Sequence, residues 1–156
     1  QKVLDICNNP EPVSTNEAKF SAQLCAALAV VKGRALRTQD FLKNNLKDPI
    51  VKNLMTKVVL NVDPKCQKAF PDARSAKVKV RLRNGVELGS FAPTRKGDPD
   101  HPMSDTELSE KYMDLVQIIL NEENTRLLLE ELWIFEQITS MRGFIDKHFD
   151  ESRLLI

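Results

Sequence analysis

The sequence predicts an α+β fold, an antiparallel β-sheet packed by helices. Three observations carry that expectation. The run "AKVKVRLRNGVELGSF" alternates apolar and charged residues with the period of a half-buried strand pair. Two stretches, "STNE" and "SDTE", place a serine three residues before a glutamate, the signature of a helix N-terminus. Each is followed by apolar residues at helical spacing. A chain of 156 residues can build a core without disulfide or metal staples, and a single domain over 1–156 is expected.

Taken in order, "KVLDI" reads as a short strand over Val3 to Ile6, followed by the turn-rich "CNNPEPVSTNE". Ser14 and Glu17 then open one continuous helix through "AKFSAQLCAALAVVKG". Its stripe is Phe20, Leu24, Leu28 and Val31. Because Cys25, Ala26, Ala27, Ala29 and Val30 leave little polar surface, protein is expected on all sides. Gly33 supplies the left-handed residue that ends it. Two short amphipathic helices follow in "RTQDFLKNNL" and "DPIVKNLMTK", the second with Asp48 as cap and Pro49 at its first position. The β-branched "KVVLNV" reads as a strand, and "DPKCQKAFPDA" as a turn or a single helical turn.

The hairpin has two candidate registers. A two-residue Asn84-Gly85 turn would set Leu82 against Glu87 and Arg81 against Leu88, mixing the faces. A three-residue loop, Arg83-Asn84-Gly85 with Gly85 left-handed, pairs Leu82 with Val86, Val80 with Leu88 and Arg81 with Glu87. The second register is the expectation. Beyond it, "KGDPDHPM" is a loop feeding a helix capped by Ser104, with a stripe Leu108, Tyr112, Leu115 and Ile119. One or two further helices carry Leu128, Leu132, Phe135 and Ile138, with Gly143 as an interruption point.

Composition excludes more than it assigns. Net charge is +1 with both signs interspersed, so no global field draws in nucleic acid or an anionic membrane. No apolar run approaches the ~20 residues that span a bilayer. The first residues lack the apolar core of a signal peptide. Cys7, Cys25 and Cys66 are widely spaced and make no C-x-x-C pair, which argues against a disulfide framework or a zinc cage and for a cytoplasmic or other reducing compartment. The chain starts without Met, so a piece of a longer polypeptide is expected.

Among candidate sites, Asp98, Asp100, His101 and Asp105 could gather round an ion, but a loop this rich in proline reads as solvated, and no metal is expected. The basic hairpin face, Lys77, Lys79, Arg81 and Arg83, has no interleaved aromatic residue in this reading, so a solvated outer face is preferred to nucleic-acid binding. Lys19 differs in kind. It falls in the first turn of the apolar helix, where free N–H groups favour a substrate carboxylate, although a lysine there more often points to water.

Three stretches together, "EAKFSAQLCAALAVVKG", "AKVKVRLRNGVELGSF" and "KGDPDHPMSDTELSEKY", resemble the MmgE/PrpD family of 2-methylcitrate dehydratase and cis-aconitate decarboxylase relatives. The third is similar to that family's pattern of Gly, a Pro, then Pro-Met-Ser/Thr, acidic residues, and a Lys before an aromatic. The resemblance covers roughly residues 1–120 and is confined to the smaller C-terminal α+β domain, a lid over the cleft. It implies that the main catalytic groups lie on a missing N-terminal helical domain and just upstream of this sequence. It implies chemistry on di- or tricarboxylates by proton abstraction and elimination, decarboxylation or epimerisation. No cofactor is implied, and a homodimer of the full-length protein is a further expectation. Lys19, Ser21 and Gln23 are then the substrate-binding candidates, with His101 an outside one, and the isolated chain is expected to be inactive. Leu24 stands where decarboxylase-like members carry tyrosine, which argues against decarboxylation and, if this helix faces the cleft, for a less polar substrate. The competing class is a non-catalytic binding or assembly module that pairs with a separate helical domain.

Overall fold

A computed structural model describes residues 2–150, apart from the side chains of Lys2, Val3 and Lys43. The chain divides into two compact units, one running to Pro102 and the other starting at Met103. Together they hold helices and one antiparallel strand pair, so the α+β class is found.

In the first unit, α1 (Lys2–Cys7), α2 (Thr15–Lys19) and α3 (Ala22–Lys32) precede a 3-10 turn at Thr38–Phe41. Next come α4 (Lys43–Lys47), α5 (Pro49–Met55) and α6 (Pro64–Ala69), then β1 (Ala76–Arg81) and β2 (Glu87–Ala92). The core lies where α3 packs on α5: Ala18, Leu24, Ala27, Leu28, Val51 and Met55 are buried, with Leu36, Phe41, Leu46 and Leu54 packed around them. Burying such branched side chains is worth about 1.5–3 kcal/mol each. Asp48 caps α5 by accepting from Ile50 N at 2.8 Å and Val51 N at 3.4 Å, and Pro49 sits where a helix needs no N–H. Asp63 and Pro64 repeat that arrangement at α6.

The hairpin adopts the three-residue loop. Arg81 pairs with Glu87 and Val80 with Leu88, Leu82 N donates to Val86 O at 2.8 Å, and Gly85 has φ +85°. An Asn84 side-chain oxygen accepts from Val86 N at 3.1 Å and stiffens the turn. All residues of both strands are exposed, including Val78, Val80 and Leu88 on the apolar face.

Several expectations are corrected. "KVLDI" is helical within α1, and "KVVLNV" lies outside any strand, with Val59 76% exposed. Both are short apolar runs that take strand form only when a sheet edge accepts their N–H and C=O groups. Among the described residues no such pairing reaches them. The long apolar helix is two helices, because the Ser21 hydroxyl captures Leu24 N at 3.1 Å and restarts the backbone. Nor is α3 buried all round: Leu24 and Leu28 are inside, while Val30 and Val31, like Phe20 at the end of α2, are exposed. "RTQDFLKNNL" splits at Leu42, whose extended backbone (ψ 153°) separates the 3-10 turn from α4.

The second unit consists of α7 (Asp105–Val116), α8 (Glu122–Trp133), a 3-10 turn at Phe135–Gln137 and α9 (Met141–His148). The Ser104–Glu107 capping box is present: Ser104 Oγ accepts from Glu107 N at 3.3 Å and Glu107 Oε2 accepts from Ser104 N at 2.9 Å. Leu120, Leu128 and Phe144 form the core, flanked by Tyr112, Val116 and Ile138. The inward side of α7 is therefore Tyr112 and Val116, continued by Leu120 beyond the end of the helix, and Leu108, Leu115 and Ile119 are about half exposed. Leu132 and Phe135 are likewise partly exposed. Gly143 does not break a helix. It occupies the first turn of α9, where its N–H donates to the Ser140 cap at 3.1 Å and an added Cβ would come within 3.3 Å of that hydroxyl. The interruption falls instead between α8 and α9.

Candidate functional site

The sequence candidates Lys19, Ser21 and Gln23 cluster at the junction of α2 and α3. Lys19 ends α2 and is exposed, whereas Ser21 and Gln23 are buried. Lys19 is thus not in the first turn of the apolar helix, as the continuous-helix reading requires; it precedes the α3 N-cap by two residues.

The junction is tied to the preceding loop. Ser21 Oγ donates to the Asn9 carbonyl at 2.5 Å and accepts from Leu24 N, so its one donor and one of its two acceptor lone pairs serve the scaffold. Gln23 Nε2 donates to Asn8 Oδ1 at 2.6 Å. Gln23 Oε1 is buried and has no hydrogen-bond partner, a condition that native structures rarely leave unanswered. The role expected for Gln23, an amide donor, is therefore partly consumed by Asn8, which takes one of its two N–H groups. Sequence reasoning missed Asn8 and Asn9, because nothing in the spacing of "CNNPEPVS" shows the loop folding back on residues 21 and 23.

Upstream, Glu17 bonds Val13 N at 3.0 Å, Ser14 Oγ at 3.2 Å and Asn9 Nδ2 at 3.4 Å. The Val13 N–H, followed by the Asn9 and Ser14 side chains, holds its carboxyl below the ordinary value against a smaller effect of burial. Glu17 thereby links the same loop to α2. At the far end of α3, Arg34 grips the buried Asp40 with bonds of 2.8 and 3.0 Å, and Arg37 N donates to that carboxylate at 2.7 Å. Burial pushes Asp40 up, but the Arg34 guanidinium, the Arg37 N–H and the charges of Arg34 and Lys32 outweigh it and hold the group ionised.

Leu24 is completely buried in the core of this unit. Its side chain packs against Ala27, Leu28, Val51 and the other residues of that core.

His101 is exposed in a tight loop, where its N–H donates to Asp98 O at 2.9 Å and its carbonyl accepts from Gly97 N at 2.7 Å. Asp98 is taken by Arg95, with bonds of 2.7 and 3.2 Å. Among the described residues no three His, Cys, Asp or Glu side chains converge as metal ligands, and no helix is long and apolar enough to cross a membrane. On the hairpin, the register corrects one premise. Phe91 lies directly opposite Lys77 and shares the basic face, where Glu87 opposite Arg81 interrupts the positive run. One aromatic side chain beside a carboxylate is still a poor stacking platform for bases.

The model of the MmgE/PrpD C-terminal domain matches residues 1–134. Among curated proteins, the chain is similar to the cis-aconitate decarboxylase of Homo sapiens, at 26% identity over 123 residues, which are 79% of this chain and 25% of that protein. The chain spans about a quarter of the length of this relative.

Proposed function

Because the chain belongs to the MmgE/PrpD family, as a match to its C-terminal domain, we propose that it covers the substrate cleft of a lyase or isomerase acting on di- or tricarboxylates. In this reading it works as part of a longer polypeptide whose helical portion supplies the proton-abstracting groups. The family match and the relative's name, cis-aconitate decarboxylase, support the carboxylate substrate class.

The single observation that carries this reading is the α2–α3 junction, where the exposed residue Lys19 precedes the N-cap of an eleven-residue helix by two positions. Both features favour an anion there. Lys19 holds a substrate carboxylate, while the buried Ser21 and Gln23 keep the turn in place without touching substrate. Removing a proton from a carbon next to a carboxylate builds negative charge, and a cation held in a water-poor cleft stabilises that charge far more than it would in bulk water.

The test is a binding titration of 2-methylcitrate and cis-aconitate against the longer polypeptide and its Lys19→Ala variant. Saturable binding that weakens at least ~10-fold in the variant, about 1.4 kcal/mol, is expected. Unchanged affinity would remove Lys19 from the site.

A further inference from the structure

The pairing of the hairpin fixes which backbone groups its edges present. Leu82 N donates to Val86 O, and the register sets Val80 opposite Leu88 and Val78 opposite Ser90. In an antiparallel ladder, bonded pairs alternate with unbonded ones. Val78, Val80 and Leu82 therefore turn their N–H and C=O groups toward β2, while Lys77, Lys79 and Arg81 turn theirs outward. Among the described residues the sheet has two strands, so no third strand lies along the outer edge of β1.

The same three residues carry the charge. Lys77, Lys79 and Arg81 are exposed on one face, and the exposed Arg83 follows in the loop. Two carboxylates approach this row: Asp63 feels the charge of Lys77, and Glu87 lies opposite Arg81. Lys79 lies opposite Gly89, which brings no side chain. The other face of the strand presents Val78 and Val80, 57% and 40% exposed. An edge lined with cations keeps further copies away. Pairing β1 with β1 of a second copy would set cation against cation at all three positions, and like charges directly opposite destabilise a sheet. A strand of opposite charge meets no such barrier. Two strands alone are marginal in water, and a third adds to their stability.

We propose that the outer edge of β1 takes an extended acidic segment of a partner protein as a third antiparallel strand. The segment has carboxylates at alternate positions, paired with Lys77, Lys79 and Arg81. Apolar side chains between them continue the face of Val78 and Val80. Main-chain hydrogen bonds to the outward N–H and C=O groups hold it in register. Nucleic acid fits this edge less well, because it has no peptide groups to extend the ladder and Phe91 is the single aromatic residue at the paired positions of the basic face. The surface shares no residue with the site at Lys19, and neither reading depends on the other.

The experiment titrates the 156-residue chain, by calorimetry at low salt, with a blocked peptide of alternating glutamate and valine. Two controls are the same peptide with lysine for glutamate, and the acidic peptide N-methylated at its glutamates, whose N–H groups would face β1. Saturable one-to-one binding of the acidic peptide is expected, at least ~10-fold tighter than that of the lysine peptide, the scale of three charge pairs turned repulsive. The N-methylated peptide keeps its charge and loses the ladder, so it should not bind. In the complex the Lys79 and Arg81 amides should exchange more slowly, with Val80 and Leu88, bonded within the hairpin, as the reference. Lys79→Glu should weaken the acidic peptide about 5-fold and leave the Val80 and Leu88 amides as protected as before. Absence of saturation, equal binding of either control peptide, unslowed Lys79 and Arg81 amides, or unchanged affinity in Lys79→Glu would overturn the proposal. So would tighter binding of a single-stranded oligonucleotide, or binding that appears only after residues 151–156 are removed. A longer polypeptide that refuses the peptide and already protects the Lys79 and Arg81 amides would overturn it too, since the edge would then belong to its own chain.

Discussion

The Ser21 hydroxyl spans two segments, donating to the Asn9 carbonyl at 2.5 Å while it accepts the Leu24 N–H at 3.1 Å. One oxygen thereby fixes both the start of α3 and the loop that reaches it. Ser21→Ala should cost about 1–2 kcal/mol, the usual loss for a helix cap, read as a lower denaturant midpoint. If Ser21 positions and does not bind, Michaelis constants of the longer polypeptide change little at temperatures where the variant stays folded. A selective rise in the Michaelis constant with unchanged stability would make Ser21 a substrate contact.

Lys19 is exposed at the end of α2, so its replacement leaves the core intact. Lys19→Ala in the longer polypeptide should lower turnover at least ~10-fold with an unchanged melting temperature. Wild-type kinetics would refute the assignment.

Asp40 gives the first unit an acid sensitivity. Its folded-state pKa lies below the unfolded value, so the stability it contributes is fully present above the ordinary carboxylate range and is lost as pH falls through the lower, folded value. Asp40→Asn should destabilise the neutral protein by about 1.5–3 kcal/mol, the scale of hydrogen bonds to a charged group. It should also flatten the fall in stability at acid pH. An unaltered acid limb, measured by urea midpoints across pH, would contradict this.

Gly85 has φ +85° in the hairpin loop, with open space where a Cβ would stand. The cost of Gly85→Ala is therefore conformational alone, about 1–2 kcal/mol, in the local opening of the hairpin as read by amide exchange of Val80 and Leu88. Unchanged protection would mean that the loop has a different geometry.

These cases show what was legible beforehand. The hairpin register followed from charge pairing, because only the three-residue loop puts Arg81 opposite Glu87. Ser14, Asp48 and Ser104 announced their helices, since caps act within three residues. What depended on distant partners was hidden. "KVLDI" and "KVVLNV" have strand composition but pair with neither strand of the described sheet. Ser21 looked like one more helical residue until Asn9 met its hydroxyl. The inward face of α7 is Tyr112 and Val116, where the cluster of Leu120, Leu128 and Phe144 packs, and not the side of Leu108 and Leu115.

The central claim is that these residues cover a carboxylate cleft whose reactive groups lie on other polypeptide. The most direct measurement is turnover of 2-methylcitrate, cis-aconitate and iminodisuccinate-type acids by two samples, residues 1–156 alone and the longer polypeptide that contains them. The account predicts turnover of at least one acid by the longer polypeptide and none by residues 1–156. Catalysis by residues 1–156 alone, or neither turnover nor binding of any di- or tricarboxylate by the longer polypeptide, would contradict it.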